Sequence, residues 1–398
     1  MAADGEAWLD AEAAAALLGV KRRTLYAYVS RGRVRSRPGS QGPGRRYARE
    51  DLERLRARSA ARRGHEPVAA AALRWGDPVI ESAVTTLSAE GPRYRSRLAT
   101  ELAAAGARFE EVTELLLTGR PGDPASWKEA RPGRRLRLPR GTPQPLDALV
   151  LRLGAQAMAD PQRFASAPPA RLARARRLLR GLAWAAGEGA LRDSVAATLA
   201  EAFGLRGTAR ERAALDVALV LSADHELNAS TFAARVAASA GADAYGAVAA
   251  GLAALGGTKH GGAVLRVASL CGSLGDAADV PRTLQERLAR GEGLPGFGHP
   301  LYAQGDPRTP PLLEQARRIG ARRRHVRTVL ALVDAVELVG AGKPTLDLGL
   351  YALSRALGLP PGAGVVIFAV GRAAGWLAHA QEQADQGYAI RPRARPPR

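Results

Sequence analysis

Lys259-His260-Gly261-Gly262-Ala263 is the middle one of three histidine-centred segments, with His225-Glu226-Leu227-Asn228-Ala229-Ser230 before it and Gly296-Phe297-Gly298-His299 after it. Together they hold three of the six histidines in the chain. Each histidine has glycine or small residues nearby, which lets backbone and ligand approach closely, and imidazole titrates nearer neutral pH than any other unperturbed side chain. That combination is the pattern of an active site. Further along stand Asp306-Pro307-Arg308, Asp347 and Gly371-Arg372, a series of polar groups set in otherwise apolar sequence.

With 398 residues, the chain is long enough for two or three domains and a large core. A 46% hydrophobic and 24% charged composition describes a globular protein. The balance of +20 is carried mostly by arginine in an alanine-rich chain. A GC-rich coding sequence produces the same bias, so net charge says little about function over most of the length. The single cysteine, Cys271, excludes an internal disulfide framework and a cysteine-based metal site. Between Leu270 and Gly272 it reads as a small buried apolar residue. The opening Met-Ala-Ala-Asp-Gly-Glu has neither a basic nor an apolar leader segment, and no stretch reaches the roughly 18 uncharged apolar residues of a membrane span. A cytoplasmic protein without a membrane partner is expected. Alanine and leucine dominate, aromatic residues make up 5%, and β-branched runs are few, so helix is favoured almost everywhere after residue 80. The runs 244–257 and 362–370 read as core helices.

Residues 7–61 read as a separate unit. Asp10-Ala11-Glu12 begins an alanine-rich helix through Leu18, Gly19 breaks it, and 21–31 reads as a second, basic helix. Val34 to Arg37 and Arg45 to Tyr47 are short strand candidates around Gly39, Gly42, Pro43 and Gly44, followed by a third helix from Arg49-Glu50-Asp51. Helix, glycine turn and basic helix form the helix-turn-helix pattern. Leu17-Leu18-Gly19-Val20, Arg23-Thr24-Leu25-Tyr26 and Arg45-Arg46-Tyr47 before Glu50-Asp51-Leu52 resemble the winged helix-turn-helix of MerR-type and excisionase-type proteins. Residues 1–65 carry 15 Lys plus Arg against 7 Asp plus Glu, a local balance of +8. The resemblance implies DNA contacts from Lys21, Arg22, Arg23, Tyr26, Arg45 and Arg46. A docking or oligomerisation role for the same module is the alternative, and no DNA sequence can be read from it. Residues 58–67 look like a linker.

The order and spacing of the histidine segments, with Asp306-Pro307-Arg308, Asp347 and Gly371-Arg372, resemble the citrate synthase family over roughly residues 80–395. Ser82 to Arg95, Phe109-Glu110-Glu111-Val112 and Leu115-Leu116-Leu117-Thr118-Gly119 resemble the family's N-terminal entry, a short extended segment followed by helices. Residues 121–145 read as a Pro-, Gly- and Arg-rich loop. The resemblance implies an all-α, two-domain core behind the small helix-turn-helix domain. Its expected boundaries are 1–61 for the N-terminal domain, 62–79 for the linker, 80–261 with 359–398 for a large domain, and 262–358 for a small domain. It also implies condensation of acetyl-CoA with oxaloacetate, in which Asp347 is the base, His260 hydrogen-bonds the thioester carbonyl, and His299 polarises and protonates the keto oxygen. His225, Arg308 and Arg372 would bind the oxo-acid carboxylates, for which planar arginine forks suit the geometry. Arg391 would reach into the partner subunit's site, which makes a homodimer. No metal and no cofactor are implied, because acetyl-CoA is a substrate.

Several residues stand against simpler readings. A lone histidine beside Gly-Gly is more often structural than catalytic, and an aspartate before an apolar run is usually a helix cap. It is the joint occurrence of the segments in one order that favours chemistry. His65, His325 and His379 read as structural or solvated, and Arg322-Arg323-Arg324 as an exposed face or a contact for CoA phosphates. The sequence departs from the family at Val264, at Pro300 and Leu301, at Ala303 and at Thr345, where Asn, a basic and an aliphatic residue, Lys and Asn are usual. These changes are expected on the CoA side of the site. Citrate synthase of the tricarboxylic acid cycle and 2-methylcitrate synthase share all these motifs, so propionyl-CoA is an alternative substrate. A DNA-binding regulator with a synthase-like sensing domain is a further alternative.

Overall fold

The computed structural model describes residues 8–30, 33–38, 44–53, 55, 80–133, 135–138 and 145–392. The expected glycine-rich wing tip at 39–43, the linker with His65 and the tail beyond Pro392 lie outside the described residues. The chain divides at residue 81 into two compact units.

In the N-terminal unit, β1 (Trp8–Leu9) leads into α1 (Ala11–Leu18) and α2 (Arg22–Ser30), followed by β2 (Ser36–Pro38) and β3 (Arg45–Ala48). The antiparallel sheet has the order β1-β3-β2, and a helical stretch begins at residue 49. Asp10 starts α1 because its carboxylate accepts the Glu12 and Ala13 N–H groups at 3.0 and 2.8 Å. Gly19 ends α1 with φ at 63°, a left-handed cap that suits glycine. Ala14, Leu25, Val34, Tyr47 and Leu52 form the unit's own core. Arg35 ties the strand region to the third helix, donating from Nε to Asp51 Oδ2 at 2.8 Å and from Nη2 to Asp51 Oδ1 at 3.0 Å. The strand expected at Val34 to Arg37 starts two residues later. The short β1, too brief to show an alternating pattern, was not foreseen.

The second unit opens with β4 (Thr85–Ser88), β5 (Gly91–Tyr94) and β6 (Arg97–Leu98), joined in the antiparallel order β4-β5-β6. Helix therefore does not begin at residue 80. A three-stranded sheet forms where an extended entry was expected, and Arg95 makes its positive-φ turn while donating to Leu116 O. Then follow α3 (Ala99–Ala104), α4 (Phe109–Thr118), α5 (Pro145–Ala159), α6 (Pro168–Ala185), α7 (Val195–Ala202), α8 (Ala209–Ser222), α9 (Ala229–Ser239) and α10 (Ala244–Leu255). The remaining helices are α11 (Gly262–Ser273), α12 (Val280–Ala289), α13 (Thr309–Gly320), α14 (Arg324–Leu338), α15 (Leu346–Ala356) and α16 (Ala363–Gln386). Among the described residues between 121 and 144, the helical content is a 3-10 turn at Pro124–Trp127, anchored by Trp127 Nε1 donating to Glu114 Oε1 at 2.6 Å.

Helix α16 is the axis of this unit. It packs against α4, α5, α6, α8, α9, α10, α11 and α15. By length and composition it could cross a membrane, although the sequence had suggested that no segment could, and its most apolar 18-residue window is entirely buried inside the fold. It is a core helix, hydrophobic all round because it has protein on every side. Two polar residues within it, Arg372 and His379, are 1% and 0% exposed. Burying such groups is costly unless they are hydrogen-bonded, so their partners show what the helix positions. Cys271 is buried, as its neighbours suggested.

Candidate active site

Helix α8 ends at Ser222, and the chain must turn to start α9 at Ala229. Within this turn Glu226 takes φ of 53°, a left-handed value uncommon outside glycine. His225 is only 7% exposed, and its Nε2 lies 2.9 Å from the Tyr302 hydroxyl. Burial, then the charges of Arg308, Arg372 and His299, hold its pKa well below the usual range. It is a neutral imidazole at physiological pH.

His260 occupies the turn before α11, with its N–H donated to Gly257 O at 3.0 Å. Its Nε2 faces Ser230 Oγ at 2.8 Å and Asn228 Oδ1 at 3.2 Å. Asn228 is also the N-cap of α9, accepting the Ser230 and Thr231 N–H groups. Trp376 Nε1 on α16 donates to Ser230 Oγ at 3.1 Å. Burial, then Arg372, lowers the His260 pKa to about 4.

His299 and Asp347 are brought together by backbone pairing. Gly298 N–H donates to Lys343 O at 2.8 Å and Thr345 N–H to Gly296 O at 2.9 Å, which holds the 296–299 segment beside the start of α15. Leu301 N–H donates to His299 Nδ1 at 3.2 Å, so the neutral tautomer carries its proton on Nε2. Burial lowers the His299 pKa, with Asp306 acting against the shift and Arg308 reinforcing it. Asp347 lies in the first turn of α15. Burial raises its carboxyl to about 6, although Arg308 pulls the other way.

The two central arginines are buried. Arg308 grips Asp306 with Nε and Nη2 at 2.9 and 2.8 Å, which leaves Nη1 and one Nη2 hydrogen unspent by that pair. Asp306 also accepts the Leu346 N–H at 3.2 Å, tying the arginine to α15. Arg372 donates Nε to Ser222 O at 2.8 Å, which leaves both terminal nitrogens as a fork. Burial lowers its pKa to about 10, so it remains a cation at neutral pH.

These groups form one cluster. The rings of His225 and His299 are 5.7 Å apart, and Tyr302 sits 5.6 and 4.8 Å from them. Arg308 lies over Tyr302, Arg372 lies over Phe368, and Phe368 meets His260 edge-on at 5.9 Å. Arg372 acts electrostatically on His225, His260 and Asp347 alike. The cluster thus holds neutral imidazoles, a carboxyl of raised pKa and two cationic forks, a set suited to proton transfer beside a bound carboxylate. Arg391 is not part of it. It is exposed on the arm after α16, where Ile390 N–H donates to Ser239 Oγ at 3.0 Å.

Sequence reading missed Ser230, Tyr302, Phe368 and Trp376, although Ser230 closed a quoted segment and Tyr302 stands between His299 and Asp306. His379 is not solvated. It is fully buried, with Nε2 3.1 Å from Asp224 Oδ2 and Nδ1 3.1 Å from Arg235 Nη1. His325 and Arg322 to Arg324 are exposed, and Arg324 pairs with Asp276. Of the departures from the family, Pro300, Leu301 and Ala303 are exposed. Val264 is instead fully buried in the core beside Gly364, and Thr345 Oγ1 is buried without a hydrogen-bond partner. In the N-terminal unit, Lys21, Arg22, Arg23, Tyr26, Arg45 and Arg46 are all exposed, and Arg22 pairs with Glu12 at 3.2 Å.

Residues 72–393 match the family described as "Citrate synthase, C-terminal domain", and residues 8–60 match "Helix-turn-helix domain". Citrate synthase 2 of Bacillus subtilis is 36% identical over 184 residues, 46% of this chain and 50% of the relative. Citrate synthase of Haloferax volcanii is 38% identical over 184 residues, 45% of this chain and 48% of the relative. The 2-methylcitrate synthase of Mycobacterium tuberculosis is 37% identical over 182 residues, 45% of this chain and 46% of the relative. The chain spans about half the length of the curated relatives it matches. Among solved structures, the citrate synthase of Thermoplasma acidophilum, in a ternary complex with carboxymethyl coenzyme A and oxaloacetate, has a TM-score of 0.71 at 26% identity. That match covers 80% of this chain and 93% of that one. The Thermotoga maritima citrate synthase has a TM-score of 0.65 at 25% identity and covers the same shares.

Proposed function

The chain belongs to the citrate synthase family, and on that premise we propose that it condenses acetyl-CoA with oxaloacetate to release citrate and CoA. The observation that carries this reading is the gathering of His225, His260, His299, Arg308, Asp347 and Arg372 in one cluster, with His225, Arg308 and Arg372 buried and the other three half-buried. Asp347 takes a proton from the thioester methyl group. Its raised pKa of about 6 suits a base working near neutrality. His260 donates to the thioester oxygen as the enol forms. The enol carbon then attacks the keto carbon while His299 Nε2–H polarises and protonates the keto oxygen. Water finally cleaves the thioester, giving citrate, CoA and a proton. Arg308, Arg372 and His225 hold the acceptor, whose two carboxylates meet cationic forks in a dry site. No cofactor is called for, because the thioester is itself consumed.

In this reading residues 80–261 with 359–398 form a large domain, and 262–358 form a small one that closes over oxaloacetate and excludes water. Arg391 serves the partner subunit's site in a homodimer. The exposed Val150, Leu151 and Met158 of α5, with Phe164 beyond it, support a second copy, since such an apolar surface is one that association would cover. The protein works in the cytoplasm, and the tricarboxylic acid cycle is its setting. Propionyl-CoA is the alternative acyl donor.

The deciding assay is thiol release from acetyl-CoA with and without oxaloacetate, with propionyl-CoA in parallel and Asp347→Ala as control. Release that requires oxaloacetate and is lost in the variant supports the synthase, and the two acyl donors then choose between citrate and 2-methylcitrate. No release from a folded protein that still binds oxaloacetate would instead favour a DNA-binding regulator with a sensing domain. The exposed basic residues of the N-terminal unit favour that second reading, and a dimer would present two such units to a palindromic site.

A further inference from the structure

Asp224 is fully buried next to His225, yet nothing in the chemistry above uses it. Its Oδ2 receives two hydrogen bonds, from His379 Nε2 at 3.1 Å and from the Glu226 N–H at 3.2 Å. The second bond ties the left-handed Glu226 to the residue two positions before it. His379 is in turn fixed from behind, because Arg235 Nη1 donates to its Nδ1, which leaves the imidazole N–H on Nε2 pointing at Asp224. Arg235 is itself buried, with Glu382, Gln383 and Gln386 as further partners.

The same turn is seated on α16 by backbone contacts. Gly375 N–H donates to Ala223 O at 3.0 Å. A Cβ on Gly375 would stand 2.2 Å from Asp224 Oδ1, so only glycine lets the helix and the turn approach this closely. One helical turn earlier, Arg372 Nε holds Ser222 O. Asp224 therefore lies between two groups that face the oxo acid in the proposed reaction, His225 on the turn and Arg372 on the helix.

We propose that Asp224, held by His379, is a positioning residue for the oxo-acid half of the site: it fixes the 222–226 turn so that His225 faces the cluster and Ser222 O engages only the Nε of Arg372. This rests on the reading that the cluster binds a 2-oxo dicarboxylate. Without the carboxylate the Glu226 N–H loses its acceptor, the turn relaxes from its left-handed form, and both donors drift. The thioester side has bonds of its own, between His260 and Ser230 and from Trp376 to Ser230.

The test uses the full chain with Asp224→Ala, which removes the acceptor of both bonds, and with His379→Leu and His379→Gln. Oxaloacetate binding is measured by calorimetry, KM for both substrates by thiol release, and folding by thermal melt. Asp224→Ala and His379→Leu are expected to raise the oxaloacetate KM and Kd by roughly tenfold or more, the worth of a lost hydrogen bond to a charged group. The acetyl-CoA KM stays within about twofold. His379→Gln is expected to recover most of the loss, because its amide can both donate to Asp224 and accept from Arg235. If Asp224→Ala does not fold, the two His379 variants carry the test. A folded variant with unchanged oxaloacetate binding overturns the proposal, as does an equal rise in both KM values or a glutamine no better than leucine. If the unmodified protein binds no oxaloacetate, the underlying reading fails and this proposal with it; binding without turnover leaves the calorimetric comparison decisive.

Discussion

Ser230 Oγ stands 2.8 Å from His260 Nε2. One hydroxyl proton has two acceptors in reach, because Asn228 Oδ1 lies 2.7 Å from the same oxygen. The proposed reaction requires it to turn from Asn228 to the ring, which would place the imidazole proton on Nδ1 and make that nitrogen the donor to the thioester carbonyl. Trp376 supports this orientation by supplying Ser230 Oγ with a hydrogen bond of its own. Ser230→Ala is expected to lower kcat by roughly tenfold, the worth of about one hydrogen bond in the transition state, with the oxaloacetate KM unchanged. Steady-state kinetics with each substrate varied would check this, and an unaltered kcat would detach Ser230 from the chemistry.

Asp347→Ala should reduce the condensation rate by roughly two to four orders of magnitude, the usual contribution of general base catalysis. The pH profile tests the same residue independently. Burial raises this carboxyl to about 6, and the base works only when ionised. Activity should therefore fall about tenfold per pH unit on the acid side of that value and level off above it. A profile still flat at pH 5 would assign the proton abstraction elsewhere.

A second carboxyl shift concerns stability rather than turnover. Asp216 accepts the Phe109 N–H at 3.1 Å, and burial followed by the nearby Glu110 raises its pKa to about 7. Because the folded state holds this proton more tightly than the unfolded chain, its contribution to stability is complete below about pH 4 and is lost as pH rises through about 7. Asp216→Asn keeps an acceptor for Phe109 and cannot ionise. It should melt on the order of 2–4 °C above the unmodified protein at pH 8, the shift that about one kcal/mol produces in a domain of ordinary size. Melting curves at pH 5 and pH 8 would decide, and a difference that did not grow with pH would rule out the linkage.

On the proposal that the N-terminal unit binds DNA, Arg45→Glu with Arg46→Glu, or deletion of residues 1–65, should abolish a binding that weakens steeply with salt. Titration of labelled duplex at two ionic strengths measures this. Binding that survives the deletion would move the contact to another surface.

The parts of the fold that could be read in the sequence were those set by local chemistry. Asp10 and Gly19 bracket α1 because a side-chain oxygen cap and a left-handed glycine act within one turn. The histidine segments stood out because small residues surround them. The β4-β5-β6 sheet was hidden, since its strands are two to four residues long and include Gly91 and Pro92, which are depleted in strands. The support of the site was hidden for a different reason. Trp376, His379 and Arg235 look like ordinary helix residues until α9 and α16 are laid side by side, and no local pattern records that packing. The burial of Val264 was hidden likewise, because it depends on a helix far along the chain.

Helix α16 also works as a ruler. Arg372, Gly375, Trp376, His379, Glu382 and Gln383 recur at three- and four-residue steps, and each meets a partner at the end of α8, along the turn after it or along α9. Substituting one of these residues disturbs only that residue's own bonds. Inserting a single residue near Ala373 would rotate everything beyond it by about 100°, so that all the later contacts slip together. The helix can therefore vary in composition at its individual positions far more readily than in length, and a change in its register would unseat both halves of the site at once.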